Sequence, residues 1–249
     1  MTKPRRWVAC SDSHGQFINQ QCAAAFLRFV DDYRPHVRLH LGDWNDQTAF
    51  MGKALTNPGG PEACSPLDAD MGAGVEFVQT YRPHYLFQGN HDHRPYKFMR
   101  HPNAMVRRAA ETVVADMERF AKSIRAELIP YAGVHDPRSW RLLGGTAFGH
   151  GYMHGLSACE QHVWLLRRQC VFGHTHRVDQ RSARTLGGLV GRTIGCMADI
   201  DKLTYAHASQ STAGWRNAWA FGEYGAGYCT VEIHTWHDAT KPAEIPAIN

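Results

Sequence analysis

Trp7-Val8-Ala9-Cys10-Ser11-Asp12-Ser13-His14 sets the pattern of this chain: a short apolar run, then a turn carrying an Asp and a His. The pattern returns at residues 37–41, which lead into Gly42-Asp43-Trp44-Asn45-Asp46, and at 83–87, which lead into Gly89-Asn90-His91-Asp92. It appears again where 146–148 meet Gly149-His150-Gly151 and where 169–172 meet Gly173-His174-Thr175-His176. Short apolar runs bounded by glycine and polar residues read as buried strands. Strands that all deliver Asp, Asn and His at their ends predict one polar site gathered along the rim of a sheet.

Helical periodicity fills the intervals. Residues 17–33 place Phe26, Phe29, Val30 and Tyr33 on one helical face, and 104–126 space Val106, Ala110, Val113, Met117, Phe120 and Ile124 by threes and fours. Further helices are expected over 75–81 and 157–168, and a hairpin over 139–148 with Gly144-Gly145 at its turn. Residues 52–74 are rich in Gly, Pro, Ala and Asp without a period and read as a long loop or insertion. Beginning just after Asp46, that stretch is either a lid or a spacer. After residue 176 the pattern is mostly strand and turn, and no internal repeat is evident. These readings predict one α/β domain over 1–249, with sheets inside and helices outside.

Composition narrows the setting. A chain of 249 residues with a formal charge of +4 can take an anionic substrate, but lacks the dense basic stripe of a protein that lives on nucleic acid. Seven cysteines without a CxxC pair predict reduced thiols, no disulfide partner and a cytoplasmic location. The apolar run after the basic start is only Trp7-Val8-Ala9-Cys10, too short for a secretory leader, and no stretch reaches membrane-spanning length.

Asp, Asn and His together are a mixed oxygen and nitrogen donor set, suited to Mn, Fe, Zn, Co or Ni rather than to calcium or a thiolate site. Two cations roughly 3.5–4 Å apart need a shared anionic ligand, which a carboxylate supplies. In an extended segment alternate side chains share a side, so Asp12 with His14, and His174 with His176, can converge on one cluster.

In order and spacing, the blocks Asp12-Ser13-His14, Gly42–Asp46, Gly89–Asp92, His150 and Gly173–His176 resemble those of the calcineurin-like metallophosphoesterase superfamily, over about residues 7 to 177. The resemblance implies a four-layer αββα sandwich of two mixed sheets flanked by helices, with a dinuclear metal site at the C-terminal ends of the strands. It implies Asp12, His14 and His176 on one divalent ion, Asn90, His150 and His174 on the other, and Asp43 bridging both, with manganese the favoured metal. It implies hydrolysis of a phosphoester by metal-bound hydroxide, with His91 as general acid and Asp46 orienting it.

Departures from subfamily patterns narrow the reading. Gln47-Thr48 stands where the protein phosphatases of the superfamily carry Arg-Gly, and Asp92 replaces their Glu. The expectation is therefore a phosphodiesterase acting on a nucleotide-like or nucleic-acid-end ester, similar to cyclic-nucleotide-type, nuclease-like or compact phage and prophage members. The alternatives are a phosphomonoesterase or protein phosphatase, and a non-catalytic metal-binding scaffold. Arg94 stands either as a planar fork for a phosphate oxygen or as a solvated cation. His154, like His40 and His93, lies close enough in sequence to the blocks to touch substrate or to support the site. The aromatic tail, Trp215, Trp219, Phe221, Tyr224, Tyr228 and Trp236, is read as core in preference to a base-stacking surface.

Overall fold

The computed structural model describes residues 3–57, 59, 66–185, 187–203 and 214–237. Its strands β1 (Arg5–Cys10), β2 (Val37–His40), β3 (Tyr85–Phe87) and β4 (Glu127–Ile129) run parallel and side by side. The other strands of the chain are β5 (Arg141–Leu143), β6 (Thr146–Gly149), β7 (Cys170–Phe172), β8 (Val178–Ser182), β9 (Val190–Ile194), β10 (Ala218–Gly225), β11 (Tyr228–Cys229) and β12 (Glu232–Thr235). β10 pairs antiparallel with β1, and β11 and β12 pair with β10, which completes a mixed seven-stranded sheet. A second mixed sheet of five strands runs β5-β6-β7-β9-β8, with β6, β7 and β9 parallel.

Strand alternation stacks the layers. Trp7 and Ala9 face inward with Leu39, Phe87 and Ile129, where they meet Phe148, Val171 and Ile194 of the second sheet. Trp7 and Phe148 touch edge to face across this interface at 4.7 Å, a contact that adds about 1 kcal/mol beyond burial. Val8 and Cys10 point the other way, into helices α1 (Gln20–Tyr33), α3 (Leu67–Tyr81) and α5 (Ala104–Ser123). Two short helices complete this half, α2 (Gly52–Thr56) and α4 (Arg94–Phe98). Behind the second sheet, Ala147, Cys170 and Phe172 pack on Ala158, Cys159 and Val163 of α6 (Ala158–Leu166). The order helix, sheet, sheet, helix is the expected four-layer sandwich.

A short repeat joins helix to strand. Tyr33-Arg34-Pro35-His36 ends α1, and the identical Tyr81-Arg82-Pro83-His84 ends α3. Each Arg closes its helix in the left-handed conformation, with φ near 50°. Each His then clasps the neighbouring strand at two points. The Arg6 N–H donates to His36 Nδ1 (3.0 Å) and His36 N–H to the Arg6 carbonyl (2.9 Å). Arg38 and His84 repeat the pair at 3.1 and 2.8 Å. This joint is an internal repeat that a search for longer periods overlooks.

The stretch 52–74 differs from its reading as a loop. α2 occupies its start, and α3 begins at Leu67, eight residues before the expected helix. Residues 58 and 60–65 lie outside the described part. Of the tail aromatics, Trp219 is buried among Phe26 and Phe29, and Phe221 and Trp236 lean on the same cluster, as expected of core residues. Tyr228, on the two-residue edge strand β11 beside a turn, is instead exposed. Among the described residues six cysteines are free thiols, and no helix is long and apolar enough to cross a membrane. Cys64 lies outside the described residues.

Candidate metal centre

Five parallel strands of two sheets end at one place. Asp12 and His14 follow β1, Asp43 follows β2, Asn90 follows β3, His150 follows β6, and His174 and His176 follow β7. The loops are zipped together by backbone: Asp12 N–H donates to the Gly42 carbonyl (2.9 Å), His14 N–H to Asp43 (2.9 Å) and Gly15 N–H to Trp44 (3.0 Å). Asp12, His14, Asp43, His174 and His176 all adopt positive φ, between 51° and 67°. Left-handed backbone costs a non-glycine residue about 1–2 kcal/mol, so strain is concentrated where the donors converge. Gly42, at φ 102°, passes so close to His150 that a Cβ there would lie 2.7 Å from its Nδ1.

Two donor groups share the Asp43 region. Asp12, His14 and His176 bring one ligand atom each within 4.8 Å of one another, as do Asp43, His150 and His174. A third such group, His14, Asp43 and His91, lies between them. Hydrogen bonding on the far side of each ring decides which atoms face inward. His150 Nδ1 donates to the Leu41 carbonyl (2.9 Å), which turns Nε2 toward Asn90 Oδ1 (3.0 Å) and Asp43 Oδ2 (3.3 Å). His14 Nδ1 donates to Asp46 Oδ1 (2.8 Å), leaving Nε2 3.0 Å from His176 Nε2, which is itself 3.4 Å from Asp12 Oδ1. Imidazole nitrogens, an amide oxygen and carboxylates crowded this closely are a donor set that a divalent cation takes, and the outer hydrogen bonds are those that fix metal-binding imidazoles. The donor set therefore fits divalent metal ions.

His91 and Asp46 sit beside this cluster. His91 N–H donates to Asp43 Oδ1 (2.8 Å), and its ring Nδ1 lies 2.9 Å from Asp46 Oδ1. Asp46 thus orients two rings with one oxygen, His14 as well as His91, and its second oxygen accepts from the Thr48 hydroxyl. Arg94 donates to the Asp46 carbonyl (2.6 Å) and approaches His91 Nε2 (3.1 Å), which places its guanidinium inside the site. His154 is at the rim: it is exposed, with its ring 6.2 Å from that of His174.

Burial and neighbours pull these groups apart. Burial alone would raise the Asp46 carboxyl, but the hydrogen bonds from His14 and His91 hold it well below the usual carboxylate range. Burial opposes charge on His150, yet Asp43 wins and lifts it to about 9. Burial lowers His91 and His174, the latter to about 3. Such divergent values packed in one cluster mark a functional site.

Two supports were not legible beforehand. Asp70 of α3 accepts the N–H groups of Asp46 (3.0 Å) and Gln47 (2.8 Å), and burial pushes its carboxyl up to about 6. It lies 24 residues along the chain from Asp46, so no local spacing could reveal the contact. Asp92, buried within its block, accepts from Gly89 (2.9 Å), Asn45 (3.0 Å) and Trp44 (3.3 Å) and ties the second loop to the third. His40 is likewise structural: its Nε2 meets the Ser13 hydroxyl at 3.0 Å, and burial lowers it to about 3.

No protein-family model matches the sequence, and comparison with curated proteins finds no match. Solved structures that the chain resembles include a metallophosphoesterase from Sphaerobacter thermophilus, at 16% identity and a TM-score of 0.47, with 94% of this chain and 89% of that one covered. Vacuolar Protein Sorting 29 from Cryptosporidium parvum aligns at 11% identity and a TM-score of 0.45, covering 95% of this chain and all of its own. YfcE, a phosphoesterase from E. coli, aligns at 14% identity and a TM-score of 0.41, covering 87% of each.

Proposed function

We propose that this protein is a dinuclear-metal-dependent phosphoester hydrolase, a phosphodiesterase acting on a nucleotide-like or nucleic-acid-end ester in the cytoplasm. The observation that carries the reading is the pair of inward-facing donor groups, Asp12-His14-His176 and Asp43-His150-His174 with Asn90. Divalent ions bound there, with manganese favoured, supply positive charge for phosphate oxygens and lower the pKa of water to about 7. The residues around them do the rest. His91 is held through Nδ1 by Asp46, so Nε2 is the atom that passes a proton to the leaving oxygen. Arg94, now 3.1 Å from that nitrogen, presents its planar fork to a phosphate oxygen entering the same space.

The test compares bis-p-nitrophenyl phosphate with the mono-ester, in Mn²⁺ and after chelation. Turnover of the diester that chelation abolishes is expected. A strong preference for the mono-ester would reassign the enzyme as a phosphomonoesterase, and no turnover of either ester across several metals would leave a binding scaffold. His91→Ala should bind both ions but lose about 10²–10⁴ in rate. Full activity in that variant would remove His91 from its role.

A further inference from the structure

We infer that Tyr131 and Tyr152 form a stacking platform beside the metal centre that receives the base of a nucleotide ester. The inference rests on the phosphoesterase reading and specifies its substrate. Tyr131 lies just beyond β4 of the first sheet, and Tyr152 two residues after His150 of the second. Tyr152 therefore follows a strand that delivers a donor, and Tyr131 follows the strand beside β3, which delivers Asn90. They stack face to face, with centroids 4.3 Å apart and planes 12° from parallel. The edge of this stack meets the ring of His150 at 5.8 Å and 74°, and His150 turns its Nε2 toward Asn90 and Asp43.

The two tyrosines are not equivalent. Tyr152 is locked: its hydroxyl accepts from Gly133 N–H (3.0 Å), its own N–H donates to His162 Nε2 (2.9 Å), and it packs against the cluster of Trp140 and Phe172. Tyr131 is half-buried, and among the described residues it joins none of the apolar clusters and its hydroxyl has no hydrogen-bond partner. This sets it apart from Trp215, which touches His176 but also covers the cluster of Cys196, Ala198 and Leu203. His93, tilted 54° at 5.9 Å and stacked on Tyr96, closes one side of Tyr131. A ring held by a fixed partner, beside a metal donor and outside the core, with a spare hydroxyl at its edge, suits a planar heteroaromatic group. Stacking accepts any base, so the platform selects for a base without reading which one.

The test uses two substrates with one leaving group, thymidine 5′-(p-nitrophenyl phosphate) and p-nitrophenyl ethyl phosphate, on the Mn²⁺-loaded full chain. The wild type should favour the nucleoside ester. Tyr131→Leu should cut the ratio of kcat/KM for the two esters by about tenfold, through KM, and Tyr131→Phe should restore most of it. An unchanged ratio in Tyr131→Leu overturns the platform. Failure of the wild type to turn over either ester defeats the hydrolase reading instead. The platform is then judged by titration with thymidine 5′-monophosphate against inorganic phosphate. Tighter nucleotide binding that Tyr131→Leu removes supports it, and equal affinities overturn it.

Discussion

At the scale of single residues, sequence and structure part where a contact stops being local. Asp12, His14, Asn90, His174 and His176 were legible because each stands within a few residues of a strand end, where chemistry and context coincide. The second duty of Asp46 toward His14 was not, because the two residues come from loops after different strands. Neither was the bonding of His162, which has no motif around it in the sequence. The structure buries it, with Nδ1 donating to the Ala158 carbonyl (2.7 Å) and Nε2 accepting the Tyr152 N–H (2.9 Å). Only the neutral ring satisfies both bonds, and burial lowers its pKa to about 4. The folded value lies below the unfolded value of about 6.5, so this stabilisation is complete above pH 6.5 and is lost as pH falls toward 4. The loss should reach about 2–3 kcal/mol by pH 4.5. Urea unfolding at pH 7 and 4.5 checks this: His162→Gln should lose less stability between the two than the wild type, and equal losses would refute the assignment.

At the scale of elements, the sequence announces the helices with a strong apolar stripe and only the second half of α3. Its second half carries Phe77, Val78 and Tyr81 into the core, but its first half, Leu67 to Gly74, has few apolar residues to set a period. Start signals were nonetheless present, in Pro66 and in Asp68 and Asp70 of the first turn. That first half reaches the core only through Leu67 and Met71, and it also clamps the loop of Asp43 to Asp46. At Gly74 a Cβ would fall 2.1 Å from Asn45 Oδ1 and 2.7 Å from the Trp44 carbonyl, whereas at Gly72 it would meet nothing within 4 Å. Helix propensity alone makes Gly→Ala stabilising by about 1 kcal/mol at either position. The two substitutions should therefore split in sign. Gly72→Ala should raise the melting temperature, and Gly74→Ala should lower the stability by about 1–3 kcal/mol and reduce turnover as α3 lifts from the loop. A shared rise in stability would show that α3 does not bear on the site.

At the scale of the whole molecule, the alternation of strand and helix was readable because each element is local, and the two-sheet sandwich followed from the family resemblance. Which late strand joins which sheet was not readable. β10 pairs with β1 from more than 200 residues away, and nothing near either strand announces the partner. The division into two sheets bears on the proposed function, because the candidate donors are split across it. Asp12, His14, Asp43 and Asn90 come from the first sheet, and His150, His174 and His176 from the second. Each donor group draws on both, so cations bound there would bridge the two layers. Unfolding must then release the ions, and free metal at a hundredfold excess over Kd should add about 2.7 kcal/mol per site. For a chain of this length that is a rise in Tm of about 5–10 °C, reversed by chelation. Removing a donor from either layer should erase much of the rise, so Asp12→Ala and His174→Ala should behave alike although they lie in different sheets. A metal-induced shift that survives one of these substitutions intact would mean that the ions are held by a single sheet. A bridge between the layers would then be excluded.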